Sequence, residues 1–364
     1  MRAHHIDRLF FWSVMALSAA GYVIFLSASL GLLAQGGSSF GTVALKQTVS
    51  LTIGLIVFYI FARYIKYQLL RKFALFIFLG AIGLNLLLFV PHLSLFYNGA
   101  TRWISLGPVS FQPSEFLKIA FIIYLAAWIQ FSKDKVRSMK FGLLPYVIIM
   151  AILGALLLVQ SDTDTLVIIG GTGIVMMLIA GMPLRHVALA GLLMVAVVGG
   201  VIFLRPYALE RVKTFLDPGA NAQGSGYQIN QSEIAIGNGG LLGRGFGQSI
   251  QKFGYLPQPT DDSIFAVAAE EFGFVGAGAL IALYVLFAAG SFRVGAKAPD
   301  QFGGMLAVGI GTLIVIESFM NMAAMMGLLP LSGVPLLFVS HGGTALIITL
   351  MAAGIVANVS KHKK

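Results

Sequence analysis

Cysteine is absent from this 364-residue chain, so the sequence can form no disulfide framework and offers no thiolate chemistry. Charge is also scarce, because Asp, Glu, Lys and Arg make up 10% of the residues where a soluble domain carries about 25%. The six histidines are scattered, and no pair has zinc-ligand spacing on one helix face. The low fraction of charged residues excludes a water-soluble fold. The scattered histidines give no support for a structural zinc site.

Long apolar runs are what the sequence has instead, since 58% of its residues are hydrophobic. A helix needs about 20 mainly apolar residues to cross a bilayer. Candidate spans lie at 9–30, 43–61, 73–90, 113–131, 142–159, 165–180, 186–204, 263–292, 302–328 and 335–359. We therefore predict an all-α, polytopic membrane protein with about ten transmembrane helices. These helices form a single transmembrane domain over residues 1–364, and the first run is a retained helix rather than a signal peptide.

The distribution of cations predicts the orientation of these helices. Most of the 24 Lys and Arg residues lie at the two ends of the chain and in the even-numbered loops, which share one side if there are ten spans. Lys and Arg are enriched in cytoplasmic loops, so both termini are predicted to be cytoplasmic. The net charge of +10 then reflects topology and does not indicate a nucleic-acid partner.

Two loops on the opposite side could carry chemistry. The longer one, 205–262, separates the seventh and eighth helices and is too long and too rich in aromatic residues for a passive connection. The shorter one spans about 92–112. Basic residues in these loops could contact lipid headgroups or could bind a pyrophosphate. These residues are Arg102, Arg211, Arg244 and Lys252.

Ionisable residues inside predicted spans are expensive to bury and therefore require partners. Glu115 and Lys118 lie three residues apart on one helix face, which favours a structural ion pair. The alternative is that they organise the base of a polar cavity. Glu317 lies midway along the ninth helix and needs a partner or a proton, and Lys118 is one candidate partner.

Acidic residues also precede two helices on the outer side. Asp261, Asp262 and Ser263 open the eighth helix, where Asp and Ser are favoured as caps, and a sharper, compatible hypothesis is that Asp262 acts as a general base. Glu270 follows Asp262 by about two turns, so the two carboxylates could share a face and bind a metal or a polyhydroxylated ligand. Asp162 and Asp164 precede the sixth helix, where capping is again the simpler interpretation.

Several ordered motifs resemble those of the SEDS family, which includes FtsW, RodA and SpoVE. Two of them, NGATRWISLG at 98–107 and FQPSEFLK at 111–118, are similar to the signature between the family's third and fourth helices. The others are GSGYQINQS at 224–232, GQSIQK at 247–252, YLP at 255–257, IFA at 264–266, EEFG at 270–273 and SHGG at 340–343. The matches span nearly the whole chain, and the run at 245–252 is more similar to FtsW than to RodA.

The resemblance implies a ten-helix peptidoglycan glycosyltransferase of the bacterial cytoplasmic membrane. Such proteins polymerise lipid II together with a class B penicillin-binding protein and, in cell division, with other divisome membrane proteins. The family's essential aspartate corresponds to Asp262. The resemblance also implies substrate contacts by Gln228 and Ser232 beside the four basic residues. Asp162, Glu270 and Ser340 would organise the cavity with Glu115 and Lys118.

This chain also departs from the family pattern near the expected site. Gln258 stands where a Glu is usual, and Asp261 and Asp164 are additional acids. A Tyr or Phe is usual in place of His341, and a Gln in place of Glu317. These departures leave open whether substrate or metal is handled as in other members, and whether Asp261 shares the role of Asp262.

The mechanism expected from this combination is glycosyl transfer at the outer membrane surface. Asp262 would deprotonate the acceptor sugar, and the basic residues or a divalent cation such as Mg²⁺ or Mn²⁺ would balance the leaving pyrophosphate. No other cofactor is expected. The alternatives are a lipid II flippase or other transporter, an elongation polymerase of the RodA type, and a scaffold that recruits the partner without catalysis.

Overall fold

The computed structural model describes residues 6–34, 40–90, 93–97, 100–106, 109–221, 224 and 226–362. Parts of the quoted motifs, including Asn98 and Ser225, and the terminal cations Arg2, Lys363 and Lys364 lie outside these residues. The described helices are α1 (Arg8–Ser29), α2 (Phe40–Arg63), α3 (Tyr67–Lys72), α4 (Ala74–Leu86), α5 (Pro113–Ser132), α6 (Leu144–Val159), α7 (Thr163–Ile179), α8 (Leu184–Leu204), α9 (Pro206–Leu216), α10 (Tyr227–Gly239), α11 (Ile264–Ala296), α12 (Gln301–Met325) and α13 (Gly343–Lys361).

Ten of these helices correspond to the ten predicted spans. Eight of the described helical segments are long and apolar enough to cross a membrane, and Ala74–Phe89 and Thr163–Ile179 are shorter apolar helices. At about 1.5 Å per residue, a helix of 17 residues such as α7 is about 26 Å long, which approaches the thickness of the hydrocarbon core. The prediction of a polytopic helical membrane protein is confirmed.

The helices differ widely in how much protein surrounds them. Most residues of α12 are buried, and it contacts α5, α7, α11 and α13. In α8, by contrast, only His186 and Ala190 are buried although the helix is strongly apolar. An apolar helix with little protein contact must be covered by lipid, so α12 lies near the centre of the bundle and α8 at its periphery.

A small antiparallel sheet lies between α4 and α5, where only a loop was predicted. It consists of β1 (Ser94–Tyr97), β2 (Ala100–Leu106) and β3 (Val109–Phe111), in that order. Ile104 of β2 lies opposite Ser94 on one side and Phe111 on the other. The sheet fixes the direction of β2, which carries Arg102.

The last helix begins at Gly343, so the prediction that the tenth span starts at residue 335 was wrong. Residues 326–342 form no helix, because Pro330 and Pro335 lack the backbone N–H that a helix interior requires. Gly333 adopts φ 61° and Phe338 adopts φ 70°. Leu336, Leu337 and Val339 are buried, which allows irregular backbone inside a membrane protein because it is enclosed by protein.

A second difference is a break in α11 at Gly273, where φ is 64° and ψ is −166°. The segment 240–245 packs against this break. Its backbone pairs with the helix through Phe274 N to Gly240 O at 2.9 Å and Arg244 N to Glu270 O at 3.0 Å. A Cβ on Gly273 would lie 2.3 Å from the backbone nitrogen of Gly243. Only glycine therefore fits this close approach at position 273.

Candidate functional site

The central element of the site is the turn that leads into α11. Pro257 and Pro259 restrict the chain on either side of Gln258, which adopts φ 48°. The carbonyl of Gln258 accepts hydrogen bonds from Asp261 N at 3.1 Å and Ser263 N at 3.3 Å. Ser263, not an aspartate, occupies the N-cap position of α11, and its side chain makes no capping bond. The capping interpretation of Asp262 is therefore wrong, and its carboxylate is available for another role.

Two side chains and one backbone amide hold this turn from outside. Asn321 Nδ2 of α12 donates to Asp262 O at 2.9 Å and to Val334 O at 2.7 Å. Ser340 Oγ donates to Asp261 O at 2.7 Å, and the backbone N–H of His341 donates to Thr260 O at 2.8 Å. The irregular segment before α13 thus binds the Asp262 turn directly.

Asn321 was missed by the sequence analysis, whereas Ser340 was predicted. Asn321 is 1% exposed inside an otherwise apolar helix, and a buried amide in such a helix requires hydrogen-bond partners. That requirement is the signal by which it could have been found. His341 also contacts Asp261 through its ring, with Nδ1 at 3.4 Å from Oδ1, and stacks on Phe25.

The Asp262 carboxylate is partly exposed and lies among charged groups of three other elements. Burial, and after it the neighbouring Asp261 carboxylate, raise the pKa of Asp262 to about 7, although the guanidinium of Arg211 opposes the rise. A Cβ built on Gly333 would lie 3.5 Å from Asp262 Oδ2 and 3.6 Å from Arg211 Nη2. The carboxylate and the guanidinium therefore border the same space, which is open because Gly333 is exposed.

Two arginines reach this side of the molecule from separate loops, and each pairs with an acid at the start of α7. Arg211 Nη1 of α9 lies 3.1 Å from Asp164 Oδ2. Arg102 Nη1 of β2 lies 3.8 Å from Asp162 Oδ1, and its Nη2 donates to Ser161 O. Asp162 is also the N-cap of α7 and accepts from Thr165 N at 3.4 Å, so the capping prediction for Asp162 is confirmed.

The residues predicted on the long loop fall into different environments. Gln228 of α10 donates from Nε2 to Ser263 Oγ at 3.0 Å, which places it beside the Asp262 turn. Ser232 is fully buried, and its hydroxyl donates to Gln228 O at 2.8 Å. Arg244 is exposed, with its Nε at 3.5 Å from Glu270 Oε1.

Lys252 and Glu270 belong to a buried polar cluster that anchors the long loop. Lys252 is 0% exposed, and its Nζ lies 2.6 Å from Glu271 Oε1 and 3.1 Å from Ser27 Oγ. Glu270 is also 0% exposed and accepts from Ser249 Oγ at 2.5 Å and from the backbone N–H groups of residues 250 and 251 at 3.2 Å.

These contacts correct two expectations. The structure does not present Glu270 on one open face with Asp262, because its oxygens are already used inside the cluster. Lys252 is enclosed in an ion pair and offers no charge to a pyrophosphate. Over the described ranges, no group of three or more His, Asp or Glu side chains is arranged to hold a metal ion. The possible divalent cation near Asp262 stays a prediction, since Mg²⁺ can be held by one or two carboxylates together with substrate phosphates.

Glu115, Lys118 and Glu317 form a buried triad that joins α5 to α12. Lys118 Nζ lies 2.8 Å from Glu115 Oε1 and 2.6 Å from both carboxylate oxygens of Glu317. The expected pairing of Lys118 with each acid is confirmed. A small cavity adjoins the triad and is lined by apolar side chains, Leu337 of the irregular segment among them, and by Thr349.

Comparison with known proteins gives consistent results. The family model described as cell cycle protein, which covers FtsW, RodA and SpoVE, matches residues 7–364. A probable peptidoglycan glycosyltransferase FtsW of Geobacter sp. (strain M18) is 36% identical over 363 residues, covering 100% of this chain and 99% of that protein. Stage V sporulation protein E of Bacillus subtilis (strain 168) is 35% identical, covering 88% of this chain and 87% of that protein.

Two solved structures share the fold. A chain of a peptidoglycan synthase complex that coordinates polymerization and crosslinking matches with a TM-score of 0.77 and 26% identity, covering 96% of this chain and 97% of that chain. The rod shape determining protein RodA of Thermus thermophilus matches with a TM-score of 0.72 and 24% identity, covering 98% of this chain and 97% of that chain.

Proposed function

Because this chain belongs to the cell cycle protein family of FtsW, RodA and SpoVE, we propose that it is a peptidoglycan glycosyltransferase that polymerises lipid II. The proposal rests chiefly on Asp262. Its carboxylate lies on a turn held by Asn321 and Ser340, next to an arginine and beside an open space. A general base is most effective when its pKa lies near the working pH, and the pKa of Asp262 is about 7.

In the proposed reaction Asp262 accepts the proton of the acceptor sugar's 4-hydroxyl. The oxygen then forms a bond to the anomeric carbon of the donor glycan, and the bond from that carbon to the pyrophosphate oxygen breaks. The electron pair of the broken bond leaves with the polyprenyl pyrophosphate, and the configuration at carbon inverts. A positioned base of this kind contributes about 10²- to 10⁴-fold to the rate.

The leaving pyrophosphate gains negative charge, so the site needs cations that are already in position. Arg211 meets this need best, because its Nη2 borders the same space as the Asp262 carboxylate. Arg244, on the same long loop as Arg211, and Arg102, on the shorter loop, are further candidates. Lys252 is excluded because its side chain is buried.

We place this site at the outer face of the bacterial cytoplasmic membrane, with both termini in the cytoplasm. The support is the concentration of Lys and Arg at the chain ends and in the loops on the side opposite to Asp262. Lipid II is a membrane-anchored donor, so a site at the membrane surface can receive it without a separate soluble domain.

We further propose a class B penicillin-binding protein as the partner, with other divisome membrane proteins around the pair. The support is the fold shared with a chain of a peptidoglycan synthase complex. A role in septal synthesis is favoured over a role in elongation, because several FtsW proteins are 34–36% identical to this chain over 96–100% of its length.

The test is polymerisation of lipid II by the purified full chain in detergent, with and without its penicillin-binding partner. We expect glycan strands from the wild type and a loss of at least about 100-fold for Asp262→Ala. Asp217→Asn is the matched control, because it removes an exposed carboxylate from the same loop. Wild-type amounts of polymer from Asp262→Ala would contradict the assignment of the base. A flippase would form no polymer in detergent.

A further inference from the structure

Asp164 is the acid of this region that the proposed mechanism has not used. It lies in the first turn of α7, and Asp162 rather than Asp164 caps the helix. A carboxylate in the first turn is favoured by the helix dipole, so Asp164 tolerates partial burial. Its side chain is 17% exposed and its Oδ2 lies 3.1 Å from Arg211 Nη1.

The contact between Asp164 and Arg211 matters because α9, the helix that carries Arg211, has few buried residues. Among the described side chains of α9, Thr214 alone is buried. The helix is amphipathic and packs mainly on the preceding α8, which is itself peripheral. Helices with few buried contacts open and shift at low cost in free energy. The ion pair to Asp164 connects α9 to the core helix α7.

The two terminal nitrogens of the Arg211 guanidinium have different surroundings. Nη1 of Arg211 is taken by Asp164, while Nη2 borders the space shared with Asp262 Oδ2 and Gly333. Guanidinium nitrogens are fixed in one plane, so holding Nη1 also sets the position of Nη2. An aspartate on a rigid helix therefore determines where the cation meets a pyrophosphate.

We propose that Asp164 is a positioning residue for glycosyl transfer, which holds the Arg211 guanidinium beside Asp262 through its contact with Nη1. The proposal rests on the proposed function, in which Arg211 stabilises the leaving pyrophosphate. It assigns a role to an acid that the family pattern does not contain. Because the charge on the leaving group grows in the transition state, mispositioning of Arg211 lowers kcat more than it raises KM.

The first experiment measures lipid II polymerisation by Asp164→Ala and Asp164→Glu. We expect Asp164→Ala to lower kcat by about 10- to 100-fold with KM within about threefold, since small misplacements of a catalytic charge have effects of this size. Asp164→Glu keeps the carboxylate and recovers most of the activity. Glu210→Gln is the control, because it removes an exposed carboxylate next to Arg211 on the same helix and leaves activity within about twofold.

The second experiment separates positioning from simple attachment of α9. The double variant Asp164→Arg with Arg211→Asp restores opposite charges between α7 and α9 but removes the cation from beside Asp262. We expect this variant to recover the Tm that Asp164→Ala loses and to remain inactive. Recovery of activity in the charge swap, or full activity of Asp164→Ala, would overturn the proposal.

A third measurement makes this test independent of the polymerase assignment. Binding of polyprenyl pyrophosphate, the product lipid, is measured for the wild type, Asp164→Ala and Glu210→Gln. We expect the Kd of Asp164→Ala to rise about tenfold and that of Glu210→Gln to stay unchanged. A wild type that binds this lipid but forms no polymer contradicts the proposed function alone, while equal Kd values for all three contradict the role of Asp164.

Discussion

At the scale of single residues, the environment of Asp262 is set by opposing charges. Asp261 is adjacent in sequence, whereas Arg211 and Asp164 come from α9 and α7. Burial and Asp261 favour the protonated acid, and Arg211 favours the carboxylate. The balance leaves a base that is about half ionised near neutral pH, so the rate of transfer is expected to rise with pH through about 7.

Asp261→Asn tests this balance. Removal of the neighbouring negative charge lowers the pKa of Asp262, so a larger fraction is ionised below neutral pH. We expect the acidic limb of the rate profile to move to lower pH, with the plateau rate retained within about twofold. The measurement is the initial rate of lipid II polymerisation from about pH 5 to pH 9.

The control for this prediction is Asp217→Asn, an exposed substitution that leaves the profile in place. A shift to higher pH would contradict the assignment of Asp262 as the base. A loss of activity as large as that of Asp262→Ala would show that Asp261 shares its role.

At the scale of elements, the second half of the long loop 205–262 is attached to the helix bundle. The segment 240–252 pairs with the break in α11 through backbone hydrogen bonds and inserts Lys252 between α1 and α11. Breaking a buried ion pair by removing one partner costs about 3–5 kcal/mol, while removing both charges together costs much less. This cluster therefore contributes to stability rather than to substrate binding.

Lys252→Met is expected to lower the free energy of unfolding by about 3–5 kcal/mol, because it leaves Glu271 buried without its cation. The double variant Lys252→Met with Glu271→Gln should recover most of that loss. The measurement is thermal unfolding followed by tryptophan fluorescence in detergent. Lys213→Met, which changes an exposed lysine of α9, serves as the control. Loss of activity with unchanged stability in Lys252→Met would instead support pyrophosphate binding.

At the scale of the whole molecule, two polar clusters connect helices that are distant in sequence. The triad of Glu115, Lys118 and Glu317 links α5 to α12 across 199 residues. The Asp262 turn links α11, α12 and the segment before α13. Because α12 takes part in both, one central helix positions the triad and the Asp262 turn.

Lys118→Met is expected to destabilise the bundle by about 3–5 kcal/mol, since two buried carboxylates lose their common cation. Glu317→Gln should cost no more than about 1–2 kcal/mol, because an amide oxygen still accepts from Lys118 and Glu115 still balances its charge. Thermal unfolding and polymerisation rates are measured for both variants. Equal destabilisation by the two substitutions would contradict the central role of the lysine.

The orientation of the whole molecule can be checked with single cysteines, because the natural chain has none. Leu216→Cys lies at the exposed end of α9, and Lys135→Cys lies in the connection between α5 and α6. In intact spheroplasts a membrane-impermeant maleimide should label only Leu216→Cys, and after lysis it should label both. Labelling of Lys135→Cys in intact cells would reverse the proposed topology.

The sequence by itself determined the parts of this protein that depend on local composition. A run of about 20 apolar residues crosses a bilayer whatever its neighbours are, so the spans were predictable. Glu115 and Lys118 were recognisable as a pair because residues three apart share a helix face. Asp262 was identified from the residues around it and from the resemblance that they carry.

The tertiary structure alone decided which distant residues meet. Arg211 pairs with Asp164 across 47 residues and Lys252 pairs with Glu271 across 19, although both cations lie on the same loop. The late start of α13 and the break in α11 likewise depend on packing against segments elsewhere in the chain. Composition and spacing specify which side chains are costly to bury, but the partner that offsets this cost is set by how the helices are arranged.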